Sequence, residues 1–130
     1  MYWTLRGKYG ITCLEEIATM SKNGRASKAK GRRLQNFVRD MLRDKFSKLD
    51  RDDIKSATMG LVGEDIVLSP AARKVIPYSF ECKNVERLQF WRAVEQARSN
   101  CNDRTPVIVV KKNGEEPYVA LPFNKWLDLI

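Results

Sequence analysis

Residues 63–84 read GEDIVLSPAARKVIPYSFECKN, and this stretch decides the fold. Three apolar residues, IVL at 66–68, predict a short strand that ends at Ser69 and Pro70. The following SPAARK has the composition of a turn or a single helical turn. VIPYSFECKN at 75–84 then predicts a second strand that ends near Asn84. The stretch therefore predicts two strands joined by a short connection.

Helices and further strands are predicted on both sides of this stretch. Upstream, apolar residues recur at helical spacing from Leu34 to Phe46, which predicts an amphipathic helix at about 30–47. Downstream, the patterns predict a helix at 88–100, a buried strand at 106–110 and a returning strand at 117–121. Trp91 is expected to pack the helix at 88–100 onto the sheet. Asn124 is expected to cap a short final helix.

The remaining segments are expected to be mostly connections. A short helix is plausible near 11–20, the basic segment 22–33 has the composition of an exposed loop, and 48–60 predicts a connection. The order of elements predicts an α/β fold with a small mixed central β-sheet flanked by helices. The length predicts a single domain over 1–130, with 1–29 as a basic N-terminal extension and 30–130 as its core.

The positive charge is concentrated in the first part of the chain. The 130 residues include 24 Lys and Arg, 16 Asp and Glu and no His, so the formal net charge is +8. Residues 1–49 hold 12 basic and 4 acidic residues, whereas residues 50–130 hold 12 of each. This asymmetry favours a polyanion partner, with nucleic acid the leading candidate. An ordinary solvated basic surface is the alternative.

The composition also excludes several classes of function. Without His, the chain has no His-based triad, no His general base and no ordinary zinc hydrolase site. Its three cysteines lack CxxC spacing, which argues against structural zinc, and their odd number favours reduced thiols in a cytoplasmic protein. No apolar run of about 18 residues predicts a membrane span, and we expect no secretory signal. Any metal site would use oxygen ligands, which favours Mg²⁺ or Mn²⁺.

Acidic residues lie in both strands of the opening stretch. Along the second strand, Glu81 and Lys83 face one side while Phe80 and Cys82 face the other. If the first strand lies beside it, Asp65 and Glu81 converge, and two such carboxylates repel each other unless a cation lies between them. A divalent metal would resolve this, with the carbonyl of Cys82 as a third oxygen ligand. This arrangement suits phosphodiester hydrolysis, in which Lys83 orients water or stabilises the transition state.

The segments G63-E64-D65-I66 and F80-E81-C82-K83 together resemble the PD-(D/E)xK nuclease superfamily. The order of helices and strands is similar, and KGRRLQ at 30–35 resembles the KGxxxE opening of Holliday junction resolvases. The pattern also resembles small phage-encoded nucleases, and the resemblance covers about 28–125. It implies a restriction-endonuclease-like core and a Mg²⁺- or Mn²⁺-dependent DNA endonuclease. A resolvase-like enzyme would be structure-selective, would act in recombination on branched DNA, and would be a homodimer.

The resemblance implies a set of site residues. The catalytic residues would be Asp65, Glu81, Lys83 and Gln96, with the metal held by Asp65, Glu81 and Cys82. Gln35 stands where resolvases carry a Glu, so it could support the site without adding charge. Glu64 is a second supporting residue, and the choice between it and Asp65 as the main ligand stays open.

Nucleic-acid binding is expected from a set of basic residues: Lys28, Lys30, Arg32, Arg33, Arg73 and Arg92. Two alternatives to a structure-selective enzyme remain. One is a general or replication-associated phage nuclease of the same superfamily, and the other is a non-catalytic nucleic-acid-binding module.

Overall fold

The computed structural model describes residues 24–130, which form a mixed α/β fold with two small sheets flanked by helices. This confirms the predicted fold class. The elements are α1 (Gly24–Lys45), a 3-10 turn (Arg51–Asp53), β1 (Ile54–Ser56), β2 (Ile66–Leu68), α2 (Pro70–Val75), β3 (Tyr78–Asn84), α3 (Phe90–Asn100), β4 (Thr105–Lys111), β5 (Tyr118–Ala120) and α4 (Phe123–Leu127). The helix expected near 11–20 lies outside the described residues.

Helix α1 begins earlier than the sequence pattern predicts. It starts at Gly24, so the expectation of an exposed loop over 22–33 is wrong from that residue onward. Ala, Lys and Arg have high helix propensity and no proline interrupts the segment, so the helix continues without an apolar stripe. Farther along, Leu34 and Val38 are buried on the core-facing side, and Gln35 is buried beside them. Helix α1 thus carries an amide side chain into the interior.

Strand β3 lies at the centre of the fold. It pairs in parallel with β4, Glu81 standing opposite Ile108, and β4 pairs antiparallel with β5. Helix α3 makes the crossover that two parallel neighbours require. Strands β1 and β2 form a separate antiparallel pair. The segment 48–60 was expected to be a connection, but it contains strand β1. This strand has only three residues and follows a charged turn, so the sequence shows no pattern that would predict it.

Asp65 joins the two sheets. Its main-chain N–H donates to the carbonyl of Phe80 at 3.0 Å, and its carbonyl accepts from Ala57 N at 2.8 Å. The residues that flank β3, Pro77 and Val85, hydrogen-bond through their main chains to the ends of β4, and both have odd numbers. Since a strand alternates the edge to which its main-chain groups point, the even-numbered residues of β3 point to the opposite edge, where Asp65 lies.

Helices α3 and α4 differ from expectation in two details. Helix α3 turns Ala93 and Ala97 onto Ile108, so Trp91 lies on the outer side and is 75% exposed, not in the core as expected. The cap of α4 is Pro122, and Asn124 lies inside the helix, because α4 begins at Phe123.

Helix α4 leaves an apolar stripe exposed. The stripe consists of Phe123, Trp126 and Leu127 on the helix and extends to the exposed Ile130, which lies beyond the helix end. Among the described residues, no helix has the length and hydropathy needed to cross a membrane.

A candidate active site at the junction of the sheets

The carboxylate of Asp65 is held on both of its oxygen atoms. Gln35 Nε2 of α1 donates to Oδ1 at 2.9 Å, and the main-chain N–H of Cys82 donates to Oδ2 at 2.6 Å. The second bond exists because Cys82 points its main-chain groups to the Asp65 edge of β3. Burial raises the pKa of Asp65, and the hydrogen bonds from Cys82 and Gln35 and the charge of Lys83 oppose that rise.

Glu81 is a second carboxylate in the same part of the fold, and unlike the half-buried Asp65 it is fully buried. Its side chain lies on the centre of β3 and the residue is 2% exposed. Oε1 lies 3.1 Å from Lys83 Nζ. Burial raises the pKa of Glu81 and the neighbouring charge of Asp65 raises it further, while Lys83 and Asn100 act in the opposite direction. The charge of Asp65 thus acts on Glu81, so the two carboxyl groups lie in the same part of the fold.

Lys83 connects this pair of carboxylates to helix α3. Its Nζ donates to Gln96 Oε1 at 2.7 Å while also contacting Glu81, and a quarter of its side chain is exposed, 26%. The ammonium group is thus fixed from two sides and still reaches solvent. The structure places all four residues that the sequence assigned to catalysis in one cluster: Asp65, Glu81, Lys83 and Gln96.

Two buried oxygen atoms in the cluster have no hydrogen-bond partner among the described residues, Glu81 Oε2 and Gln35 Oε1. Asn100 lies near Glu81, but its amide hydrogen-bonds Gly63 O at 3.1 Å and leaves Oε2 unsatisfied. Buried polar atoms are rarely left without partners, so acceptors that stay unpaired favour a missing cation or water. The carbonyl of Cys82 faces the same edge.

These residues fit a magnesium ion. Residues 24–130 contain no group of three or more His, Cys, Asp or Glu side chains suited to a metal, so the donors are two carboxylates, an amide oxygen and a main-chain carbonyl. Mg²⁺ prefers oxygen and keeps several waters, and it usually takes only one or two carboxylates from the protein together with substrate phosphate. The donor set is sufficient for that ion, and it is too small for a closed, all-protein cage.

Glu64 lies outside the cluster. Its Oε2 contacts Arg104 Nη2 at 2.6 Å and accepts from Ser79 Oγ at 3.2 Å, and its Oε1 lies 3.5 Å from Arg73. These contacts hold the carboxylate of Glu64, whereas the carboxylate of Asp65 accepts from Gln35 and from the main chain of Cys82. Between the two acids that the sequence left open, the geometry favours Asp65, and Glu64 belongs to an ion-pair network.

The basic residues expected to bind nucleic acid lie in different environments. Lys28, Arg32 and Arg92 are exposed, and Arg33 is half-buried. Lys30 is 1% exposed, so its side chain does not lie on the surface where phosphate contact was expected. Arg73 donates to Leu68 O at 3.1 Å besides contacting Glu64, so internal contacts already hold it.

The Cys82 side chain faces the core, as the strand pattern predicts. Burial raises the pKa of this thiol well above its ordinary value, and the two neighbouring carboxylates raise it further. A thiol that resists ionisation is a poor nucleophile, so this residue contributes its main chain to the site.

Asn100 is the site residue that sequence reasoning missed. It stands at the end of α3, and its side-chain amide lies near Glu81 and lowers the pKa of that carboxyl group. Its spacing could have revealed it, because Arg92, Gln96 and Asn100 follow one another at i, i+4 and i+8 on one face of the helix.

In comparisons with known proteins, no protein-family model, no curated protein and no solved structure matches this chain.

Proposed function

We propose that this protein is a metal-dependent DNA endonuclease that hydrolyses phosphodiester bonds, of the kind that the PD-(D/E)xK superfamily comprises. The observation that carries the proposal is the pair Asp65 and Glu81. Glu81 is buried with an acceptor oxygen left unsatisfied among the described residues, and the charge of the half-buried Asp65 raises its pKa. Such a pair costs folding free energy unless a cation neutralises it, and perturbed carboxylates of this kind concentrate at functional sites.

Each residue of the cluster has a part in the proposed reaction. Asp65, Glu81 and the carbonyl of Cys82 would hold Mg²⁺ or Mn²⁺, which polarises the scissile phosphate and lowers the pKa of water. Gln35 fixes the orientation of Asp65 through its hydrogen bond. Lys83 supplies positive charge where the phosphate gains negative charge, and Gln96 holds its ammonium group in place.

The exposed basic residues would hold the DNA backbone. Lys28 and Arg32 on α1, with Arg92 on α3, offer charge to phosphates without reading bases. Binding of this kind weakens steeply as salt increases. The proposed site of action is the cytoplasm, where the free thiols of Cys82 and Cys101 would stay reduced.

The decisive experiment compares four single variants in a Mn²⁺-dependent cleavage assay. Asp65→Asn, Glu81→Gln and Lys83→Ala should each abolish cleavage and leave DNA binding largely intact. Glu95→Gln is the matched control, because Glu95 is an exposed carboxylate of α3 with no hydrogen bond or ion pair to the described residues. Undiminished cleavage in EDTA, or by the Glu81 variant, would contradict the proposal.

The resemblance of residues 30–35 to the opening of Holliday junction resolvases suggests which DNA structure the enzyme prefers. We propose a structure-selective enzyme that cuts four-way junctions. A panel of four-way junction, flap, linear duplex and single strand at equal concentration tests this. Preferential cutting of the junction supports it, and equal cutting of all four favours a general or replication-associated nuclease.

A symmetric cut in two strands calls for two active sites, and the stripe on α4 supports a homodimer. Its four apolar side chains are exposed, and the surrounding segment 117–130 carries one Lys and one Asp, so two copies can approach there without charge repulsion. Trp126→Lys should convert the dimer to a monomer in sedimentation experiments. A wild-type chain that sediments as a monomer would contradict the dimer.

A non-catalytic nucleic-acid-binding module is the second candidate, favoured by the exposed basic residues of α1. Calorimetric titration with Mn²⁺ separates the two. Heat that disappears in the Asp65→Asn variant supports the nuclease, whereas no heat in the wild type favours the module.

A further inference from the structure

A cavity of about 380 Å³ opens beside the candidate active site. Lys83 and Gln96 line it from the catalytic cluster, Arg87 and Arg92 line it from the outside, and none of its lining residues is acidic. Val85, Leu88 and Ala93 add apolar surface. The cavity therefore combines cationic side chains with apolar surface, and it has Lys83 in common with the proposed cleavage site.

Within residues 24–130, the two arginines of this cavity have no partner. Neither Arg87 nor Arg92 makes a hydrogen bond or an ion pair with any described residue, and both are exposed. Two arginines elsewhere in the fold are occupied: Arg104 pairs with Glu64, and Arg43 donates to two carbonyl groups. Two guanidinium groups without a partner among the described residues, in one concave place, are suited to an anion with several oxygen atoms, such as a phosphate, which arginine binds through paired hydrogen bonds.

Two other cavities in the described part of the chain lack this character. One of about 390 Å³ also touches Lys83, but Glu86, Glu115 and Glu116 line it. One of about 700 Å³ combines arginines with Asp40 and Asp44. Mixed charges of this kind neutralise each other and do not favour an anion. The absence of acids thus distinguishes the cavity beside Gln96.

We propose that this cavity is a subsite for one nucleotide of the strand that is cut, in which Arg87 and Arg92 bind the phosphate next to the scissile one. This inference rests on the proposed nuclease function and adds substrate positioning to it. Lys83 contacts Glu81 and also lines the cavity. A DNA strand whose scissile phosphate lies beside Glu81 would therefore have its neighbouring phosphate at Arg87 and Arg92. The volume of the cavity lies within the range of ordinary ligand sites, and its apolar lining accommodates the sugar of the nucleotide.

The test measures binding without cleavage. Fluorescein-labelled 20-nucleotide DNA, either single-stranded or as a duplex, is titrated in EDTA and followed by anisotropy. The variant Arg87→Gln/Arg92→Gln should bind about tenfold or more weakly, the effect of losing charge-assisted hydrogen bonds. The slope of log K against log salt should become shallower by about 1.

The matched control is Arg98→Gln/Lys74→Gln, which removes the same charge from exposed residues of α3 and α2 that do not line the cavity. We expect it to weaken binding less than about threefold. A third variant, Arg87→Lys/Arg92→Lys, keeps the charge and loses the paired geometry, and should fall between the two. Thermal melting should be unchanged in all three, because none of the exchanged side chains is buried.

Equal weakening by the glutamine variant and its control would overturn the inference, since it would mean that only net charge matters. A larger loss on single strands identifies an unpaired nucleotide as the occupant, and an equal loss on the duplex identifies a duplex strand; both support the subsite. The measurement contains no metal, so a failure of cleavage does not affect it. Conversely, a failed binding result leaves the variants of Asp65 and Glu81 to test the nuclease.

Discussion

Replacing Glu81 by Gln should stabilise the metal-free protein. The carboxylate is buried, the nearby charge of Asp65 disfavours its ionised form, and Oε2 has no hydrogen-bond partner among residues 24–130. Gln has the same shape, keeps an oxygen for Lys83 and removes the repulsion between the two acids. Relieving strain at a functional site usually gains about 0.5–2 kcal/mol in the free energy of unfolding.

The assay is thermal melting of the wild type and the variant in EDTA and then in magnesium. A gain of this size raises Tm by roughly 2–8 °C for a chain of this length. Ten millimolar Mg²⁺ with a Kd of about 1 mM would stabilise the wild type by about 1.4 kcal/mol. The Glu81→Gln variant should lose most of this magnesium-dependent increase, because it removes one of the two charged ligands.

Two results would refute this reasoning. A lower Tm for Glu81→Gln in EDTA would mean that the ion pair with Lys83 outweighs the repulsion from Asp65. An unchanged response to Mg²⁺ would mean that the ion binds elsewhere or not at all. Glu95→Gln, which removes an exposed charge, serves as the control and should behave like the wild type in both buffers.

Three further predictions follow from the same contacts. First, burial raises the pKa of Asp65 and Glu81 in the folded chain, so the folded state binds more protons than the unfolded state at pH values between the ordinary and the raised pKa. The stability that these two groups contribute in EDTA is therefore full below the ordinary pKa and is lost as pH rises through the raised pKa. Thermal melting in EDTA from about pH 4 to about pH 7 should show this loss in the wild type and not in Asp65→Asn/Glu81→Gln. Second, Gln35→Glu places a third acid against Asp65, so it should lower Tm in EDTA and increase the affinity for Mn²⁺ in calorimetry, and an unchanged affinity would count against Gln35 facing the ion. Third, Arg104→Met leaves Glu64 with Arg73 at 3.5 Å as its remaining cation and should cost about 2–3 kcal/mol in urea denaturation without changing the Mg²⁺ response, whereas a lost response would mean that this network supports the metal site.

The parts of the fold that the sequence predicts are those with a local pattern. The apolar period of α1 and the alternation in β3 are visible in single segments, and the acids of the site lie at fixed positions in such segments. The convergence of Asp65 and Glu81 followed because it needs only that the two strands be neighbours. Lys83 was assigned from the alternation along the same strand, whereas Gln96 was assigned from the resemblance to the nuclease superfamily.

What the sequence did not predict depends on tertiary packing. Burial of Lys30 and exposure of Trp91 contradict the ordinary preferences of a lysine and a tryptophan, because the rotation of each helix against the sheet is set by other residues, Leu34 on α1 and Ala93 on α3. Strand β1 was missed because three residues contain no period. The unpaired Arg87 could not be recognised, since only coordinates show which arginines find a carboxylate.

The anchoring of Asp65 by the main chain of Cys82 has a consequence for how this site can change over evolutionary time. A peptide N–H is the same in every residue except proline, so position 82 can exchange its side chain to suit the interior without disturbing the carboxylate. Core-facing residues of β3 can therefore change without altering the site-facing residues, although residues of the two kinds alternate along this strand. Chains built in this way can diverge extensively in sequence while their reactive groups stay in register.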